Sequence, residues 1–130
     1  MTTWTDDELG KIGAAEELRI ASLRQDGRLT TQRTIWVVSL GDNLYVRSVS
    51  GPTAAWFRGT QVRHEGRIWA GGIEKDVTFV DVDSDSDTNK QVDATYRTKY
   101  QRYAASIISH IVSAEARSAT LKLVPRSIGS

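Results

Sequence analysis

The sequence predicts a mainly β fold of the α+β class: six strands in short antiparallel units, rolled into a small barrel with helices packed outside. Three observations point there. Two pairs of β-rich runs, within 33–49 and 67–82, turn at Gly41-Asp42-Asn43 and Gly71-Gly72, and such pairs are hairpins. Val92, Tyr96, Tyr100, Tyr103 and Ile107 recur at helical spacing, a stripe that packs on a sheet. Ala119, Leu121 and Leu123 alternate with Thr120 and Lys122 as a last strand before Pro125. Closing such a sheet into a barrel removes its exposed edges.

Taken in order, Thr5-Asp6-Asp7-Glu8 is a capping box with acids at the positive end of a helix that Gly13 ends. Leu18 and Ile20 alternate with Glu17 and Arg19 as a half-buried strand to about Arg24, and Asp26-Gly27 turns the chain. In the next strand Ile35 and Val37 point one way and Trp36, Val38 and Leu40 the other, so both faces are covered. Ser50-Gly51-Pro52-Thr53 turns into a short helix through Trp56 and Phe57 that ends before His64. Beyond the second hairpin, Asp83-Ser-Asp-Ser-Asp87 is a polar break, and Asp87 or Thr88 caps a helix running to about Ser113.

With 130 residues, 39% of them hydrophobic and 25% charged, the chain is expected to form one domain over 1–130 that buries roughly two-thirds of its surface. Its parts are an N-terminal helix in 1–16, a helical segment over 87–113 and a last strand over 119–125. Zero cysteines exclude thiol catalysis, iron–sulfur ligation and disulfides. The acidic first ten residues do not resemble a signal peptide, and the longest apolar run is Ile35–Val38, where a membrane helix needs about twenty residues. A cytoplasmic protein without a membrane segment is expected.

Net charge is +1, yet the blocks 1–23, 24–67, 68–93 and 94–130 carry −3, +4, −5 and +5. All seven cations of the second block are arginine, whose planar fork suits phosphate or carboxylate. Two acidic blocks and a pI near 8.1 argue against a nucleic-acid partner. His64 and His110 lack a ligand spacing, so no metal is expected. Asp83-x-Asp85-x-Asp87 starts like a calcium loop, but Thr88 stands where that loop needs glycine and Ala94 where it needs glutamate.

Arg33-Thr34-Ile35-Trp36-Val37-Val38, Leu44-Tyr45-Val46-Arg47-Ser48 and Trp56-Phe57-Arg58, with Tyr96-Arg-Thr-Lys-Tyr100 and the closing strand from Leu121, resemble an uncharacterised bacterial family of the flavin- and deazaflavin-binding split β-barrel superfamily. That superfamily holds the pyridoxamine-phosphate oxidases and the deazaflavin-dependent nitroreductases. The resemblance covers about residues 17–126. It implies a six-stranded antiparallel split β-barrel, a homodimer, and flavin mononucleotide (FMN) or a deazaflavin as cofactor. It also gathers Arg33, Thr34, Arg47, Ser48, Ser50, Gly51 and Arg58 around one groove, the arginines as anchors for a phosphate. Trp36 and Trp56 would wall the ring, although aromatics on an apolar strand or helix face are more often core. Trp69 reads as core.

Two functions follow. One is an oxidoreductase acting on a small organic substrate, whose cofactor carries the chemistry. The alternative is a small-molecule binder or non-redox enzyme without cofactor, favoured by Gly59 and Gly27–Gln32, where the chain departs from the nitroreductase-like pattern.

Overall fold

The computed structural model describes residues 3–126. The capping box forms as predicted: Thr5 Oγ1 accepts from the Glu8 amide at 3.1 Å and Glu8 accepts from the Thr5 amide at 3.0 Å, starting α1 (Asp6–Ala14). Just before it, Trp4 is buried and its indole N–H donates to the Leu123 carbonyl at 2.9 Å. This tie between the two ends of the chain has no local signal in the sequence.

Among the described residues seven strands make one antiparallel sheet: β1 (Leu18–Ser22), β2 (Arg33–Ile35), β3 (Val37–Leu40), β4 (Asn43–Arg47), β5 (Glu65–Ala70), β6 (Ile73–Asp81) and β7 (Thr120–Pro125), in the order β2-β1-β5-β6-β7-β4-β3. The two outermost strands of that order, β2 and β3, are consecutive in the chain and meet at Trp36. The predicted single strand over 33–40 therefore bends there, pairs Arg33–Ile35 with β1 and Val37–Leu40 with β4, and nearly closes the barrel. This bend is why there are seven strands and not six.

Alternation along the strands sorts the core into two layers. Leu18, Ile20, Val37, Val46, Ile68, Val77, Phe79 and Leu123 fill the interior, joined by Ile12 of α1 and Phe57 of α2 (Ala55–Arg63). Val38 and Tyr45 face outward and pack beneath the late helices with Val92, Tyr96, Tyr100 and Ile111. The expected two-sided burial of the Ile35–Leu40 run is met at Val37 and Val38, both fully buried. At Gly66 of β5 a Cβ would lie 2.1 Å from the Ala21 carbonyl oxygen, so only glycine lets β1 and β5 approach there.

The predicted continuous helix over 87–113 is three helices: α3 (Asp87–Lys99), α4 (Ala105–Ile111) and α5 (Ala114–Arg117). The cap of α3 is Ser86, not Asp87 or Thr88; its side chain accepts from the Asn89 amide at 3.1 Å. The break after Tyr100 turns the Tyr103 hydroxyl onto the Glu16 carboxylate, while Trp36 packs against both rings. Among the described residues no helix is long and apolar enough to cross a membrane, and no group of three His, Cys, Asp or Glu side chains comes together.

Candidate functional site

At the bend between β2 and β3 a cleft of about 240 Å³ opens, with Trp36 and Trp56 both in its lining. Trp36 is braced from behind: Tyr100 stacks on it at 3.8 Å between ring centroids and 3° between planes. Tyr100 is itself held, its hydroxyl donating to the Glu16 carbonyl at 2.8 Å and accepting from the Val37 amide at 3.2 Å. Beside it, the Lys99 ammonium donates to the Ala15 and Val37 carbonyls, each at 2.6 Å; burial pushes its pKa down to about 8. Trp56 stands in the first turn of α2, edge-on to Phe57 at 6.1 Å. Ile35, Val49, Ile107 and Ile111 complete the apolar wall, and Thr34 and Glu17 supply its polar rim.

The three arginines expected to converge do not. Arg47 lies on the outward face of β4, and α3 and α4 cover it: its side chain is 0% exposed. Its Nε donates to Thr120 Oγ1 at 2.9 Å, and its terminal nitrogens donate to the Ile111 carbonyl at 3.0 Å and the Asn89 carbonyl at 2.9 Å. It also meets the Asn89 amide oxygen and the Asp93 carboxylate. Burial lowers its pKa and Asp93 raises it again. Arg47 borders the cleft, but its guanidinium is committed to the fold. Arg33 and Arg58 are exposed and neither lines the cleft. Arg33 is paired with Ile20 and Thr34 with Arg19, so the strand's alternation points Arg33 and Thr34 to opposite faces.

Ser48, Ser50 and Gly51 form the turn that launches α2 and do not line the cleft. The Gly51 amide donates to the Ser48 carbonyl at 3.0 Å and the Ser48 amide to the Ala119 carbonyl at 3.1 Å. Gly51 has φ +77° and a Cβ there would meet Glu115 at 3.3 Å, so both its conformation and its close packing ask for glycine. Ser48 is buried, and its hydroxyl has no partner among the described residues. Of the predicted residues, Thr34, Trp36, Trp56 and the buried Arg47 thus meet at the cleft.

Residues not singled out as a site lie next door. Glu17 and Thr34 also line an open groove of about 500 Å³, together with Arg19, Trp69 and Glu74. Trp69, expected in the core, is half-buried on this outer face, where its N–H donates to Glu74 at 2.6 Å. Cross-strand register was the signal that could have grouped them, and it is not legible before the strands are paired.

The residues present fit the flat ring of a flavin: two half-buried indoles, one braced on its far face, with an aliphatic wall between polar rim atoms. They fit only part of a nucleotide-sized molecule, because 240 Å³ falls below the range of about 300–1,000 Å³ that small-molecule sites occupy. Cleft and adjoining groove together reach it.

This architecture, a nearly closed antiparallel barrel with helices, is a split β-barrel. Residues 8–123 match the family described as "Uncharacterized protein conserved in bacteria (DUF2255)", and the chain belongs to it. No curated protein matches the chain in sequence. Among solved structures it is similar to HutZ, the heme storage protein from Vibrio cholerae, at 16% identity and a TM-score of 0.71, over 94% of this chain and 90% of that one. It is similar to an F420 reductase at 11% identity and a TM-score of 0.54, over 90% of each chain. It is also similar to the FAD and heme binding protein from Mycobacterium smegmatis at 16% identity and a TM-score of 0.53, over 98% of this chain and 68% of that one. At these identities the likeness speaks for the fold.

Proposed function

We propose that the cleft seats the ring of a flavin-type cofactor, FMN or a deazaflavin, and that the protein is an oxidoreductase acting on a small organic substrate. The observation that carries this reading is the pair of half-buried indoles, Trp36 and Trp56, lining an apolar cleft, with Trp36 already held flat by Tyr100. Structural neighbours described as an F420 reductase and as an FAD and heme binding protein support it. When bound, such a group supplies hydride transfer; the chain's part is to stack the ring, exclude water with Val49, Ile35 and Ile107, and offer Thr34 and Glu17 as polar groups at the cleft rim. In this reading the protein is a homodimer: Val49 and Ile107, 53% and 45% exposed, stand at the cleft rim where a second copy would cover them.

The test is the visible spectrum of freshly purified protein, then titration with FMN and with the deazaflavin while tryptophan fluorescence is followed. Saturable quenching that Trp36→Leu abolishes is the expected outcome; a colourless protein that neither ligand quenches overturns the reading. A specific observation favours the alternative of a ligand without redox chemistry: among the described residues the only cation in the cleft lining is Arg47, and its guanidinium is spent. Saturation by a neutral planar heterocycle, with no response to either cofactor, is the result that reading expects.

A further inference from the structure

The groove beside the cleft is built on one rung of the sheet. Thr34 of β2 faces Arg19 of β1, Arg19 faces Trp69 of β5, and Trp69 faces Glu74 of β6. Directly opposed residues share a face, so these four side chains lie in a row on the outer surface. The row begins at Thr34, which belongs to the cleft as well. Adjacent strands are about 4.8 Å apart, so Arg19 stands one strand spacing from the cleft.

The charges along this row are not equally available. Glu74 accepts from the Trp69 indole and lies 3.9 Å from Arg67. Arg67 in turn is held by Asp76 at 2.7 Å. Arg19 is exposed and, among the described residues, makes no ion pair and no side-chain hydrogen bond; Glu17, two residues earlier and shared by cleft and groove, makes none either. From the cleft outward the surface therefore reads aromatic and aliphatic, then hydroxyl and carboxylate acceptors, then an uncommitted guanidinium beside an indole.

Resting on the flavin reading above, we propose that Arg19 binds the anionic end of the ligand, with Glu17 and Thr34 taking hydrogen bonds from a hydroxylated linker and Trp36 and Trp56 holding the ring. The ligand class is a planar heteroaromatic ring joined through a polyol to a phosphate or carboxylate. Arg19 takes the role that Arg33, Arg47 and Arg58 were expected to share. The combined space meets the size of a cofactor site, which the cleft alone does not, and guanidinium is the side chain whose fork matches such an anion.

The experiment is a fluorescence titration of the whole protein with FMN, with riboflavin, which lacks the phosphate, and with lumiflavin, which lacks the chain as well, repeated for Arg19→Gln, Arg33→Gln and Arg58→Gln. A charge-assisted contact predicts about a tenfold loss of FMN affinity in Arg19→Gln, no change for riboflavin or lumiflavin, and competition of FMN by inorganic phosphate in the wild type alone. Arg33→Gln and Arg58→Gln bind as wild type. Among the described residues Arg19 has no side-chain partner to lose, so an unchanged thermal midpoint is expected and separates binding from folding. FMN affinity in Arg19→Gln equal to wild type, or a loss that falls on Arg33→Gln instead, overturns the assignment and leaves the flavin reading standing. A wild type that binds none of the three ligands overturns the reading and the assignment with it.

Discussion

Arg47 and Arg19 occupy the same outward side of the barrel wall, on β4 and β1, and have opposite fates. Over β4 the helices α3 and α4 close down, and Arg47 becomes the centre of a buried polar knot with Asn89, Asp93 and Thr120. On β1, by contrast, Arg19 stays exposed beside Trp69. A cation that helices cover is spent on the fold, and one left exposed keeps its hydrogen-bond donors available. The helix that covers Arg47 also brings Asp93, without which burying a guanidinium would cost several kcal/mol.

Breaking the knot gives the largest expected effect. Arg47→Met leaves Asp93 buried with only the exposed-side partner Arg117 at 3.2 Å, and urea denaturation should show a loss of about 3–5 kcal/mol. Arg19→Gln in the same assay should lie within about 0.5 kcal/mol of wild type. Equal losses would erase the distinction between the two arginines. The resulting binding defect of Arg47→Met should track its unfolded fraction and not the ligand's phosphate.

Tyr100→Phe comes next. It removes the hydroxyl that serves the Val37 amide and the Glu16 carbonyl, for about 1–3 kcal/mol, and frees the ring behind Trp36; a shifted tryptophan emission alongside a lowered midpoint is the expected pair of signals.

A pH series sharpens the same contrast. Burial holds Lys99 at about 8 in the folded protein, whereas an unfolded lysine titrates near 10.4. Above pH 8 the unfolded chain therefore binds the extra proton, and stability rises with pH. The neutral amine keeps two N–H donors for its two carbonyls. Lys99 is half-exposed, so the gain between pH 8 and 10 should stay below about 1 kcal/mol, and Lys99→Gln should not show it. Above pH 10 the sign reverses. Burial raises Tyr96 and Tyr100 far above ordinary tyrosine, so the unfolded chain loses those protons first and stability falls.

The smallest effect expected is at Ser48, whose buried hydroxyl lacks a partner among the described residues. Ser48→Ala should be neutral or stabilising by up to about 1 kcal/mol, with FMN binding unchanged. A selective loss of binding would return Ser48 to the ligand site.

Much of the fold was legible from short-range chemistry. The capping box, the Gly71-Gly72 hairpin with positive φ at both glycines, the Ile35–Leu40 alternation and the tyrosine stripe all depend on neighbours within a turn or a strand. The barrel class followed from how those pieces had to share their apolar faces. The bend at Trp36 and the break after Tyr100 were not legible, because each is set by one packing event, Trp36 lying flat on Tyr100, between residues 64 positions apart in the sequence.

The candidate site divides the same way. Trp36, Trp56 and Thr34 could be picked from the sequence because the strings Arg33–Val38 and Trp56–Arg58 that hold them carry the family resemblance. Which arginine remains free could not. The side chains that occupy Arg47 lie 42 to 73 residues further along the chain, and Arg19 meets Thr34 and Trp69 only through strand register. Local periodicity determines which face a residue points to; whether that face meets a helix or water is decided by contacts distant in sequence, and only the folded chain makes them.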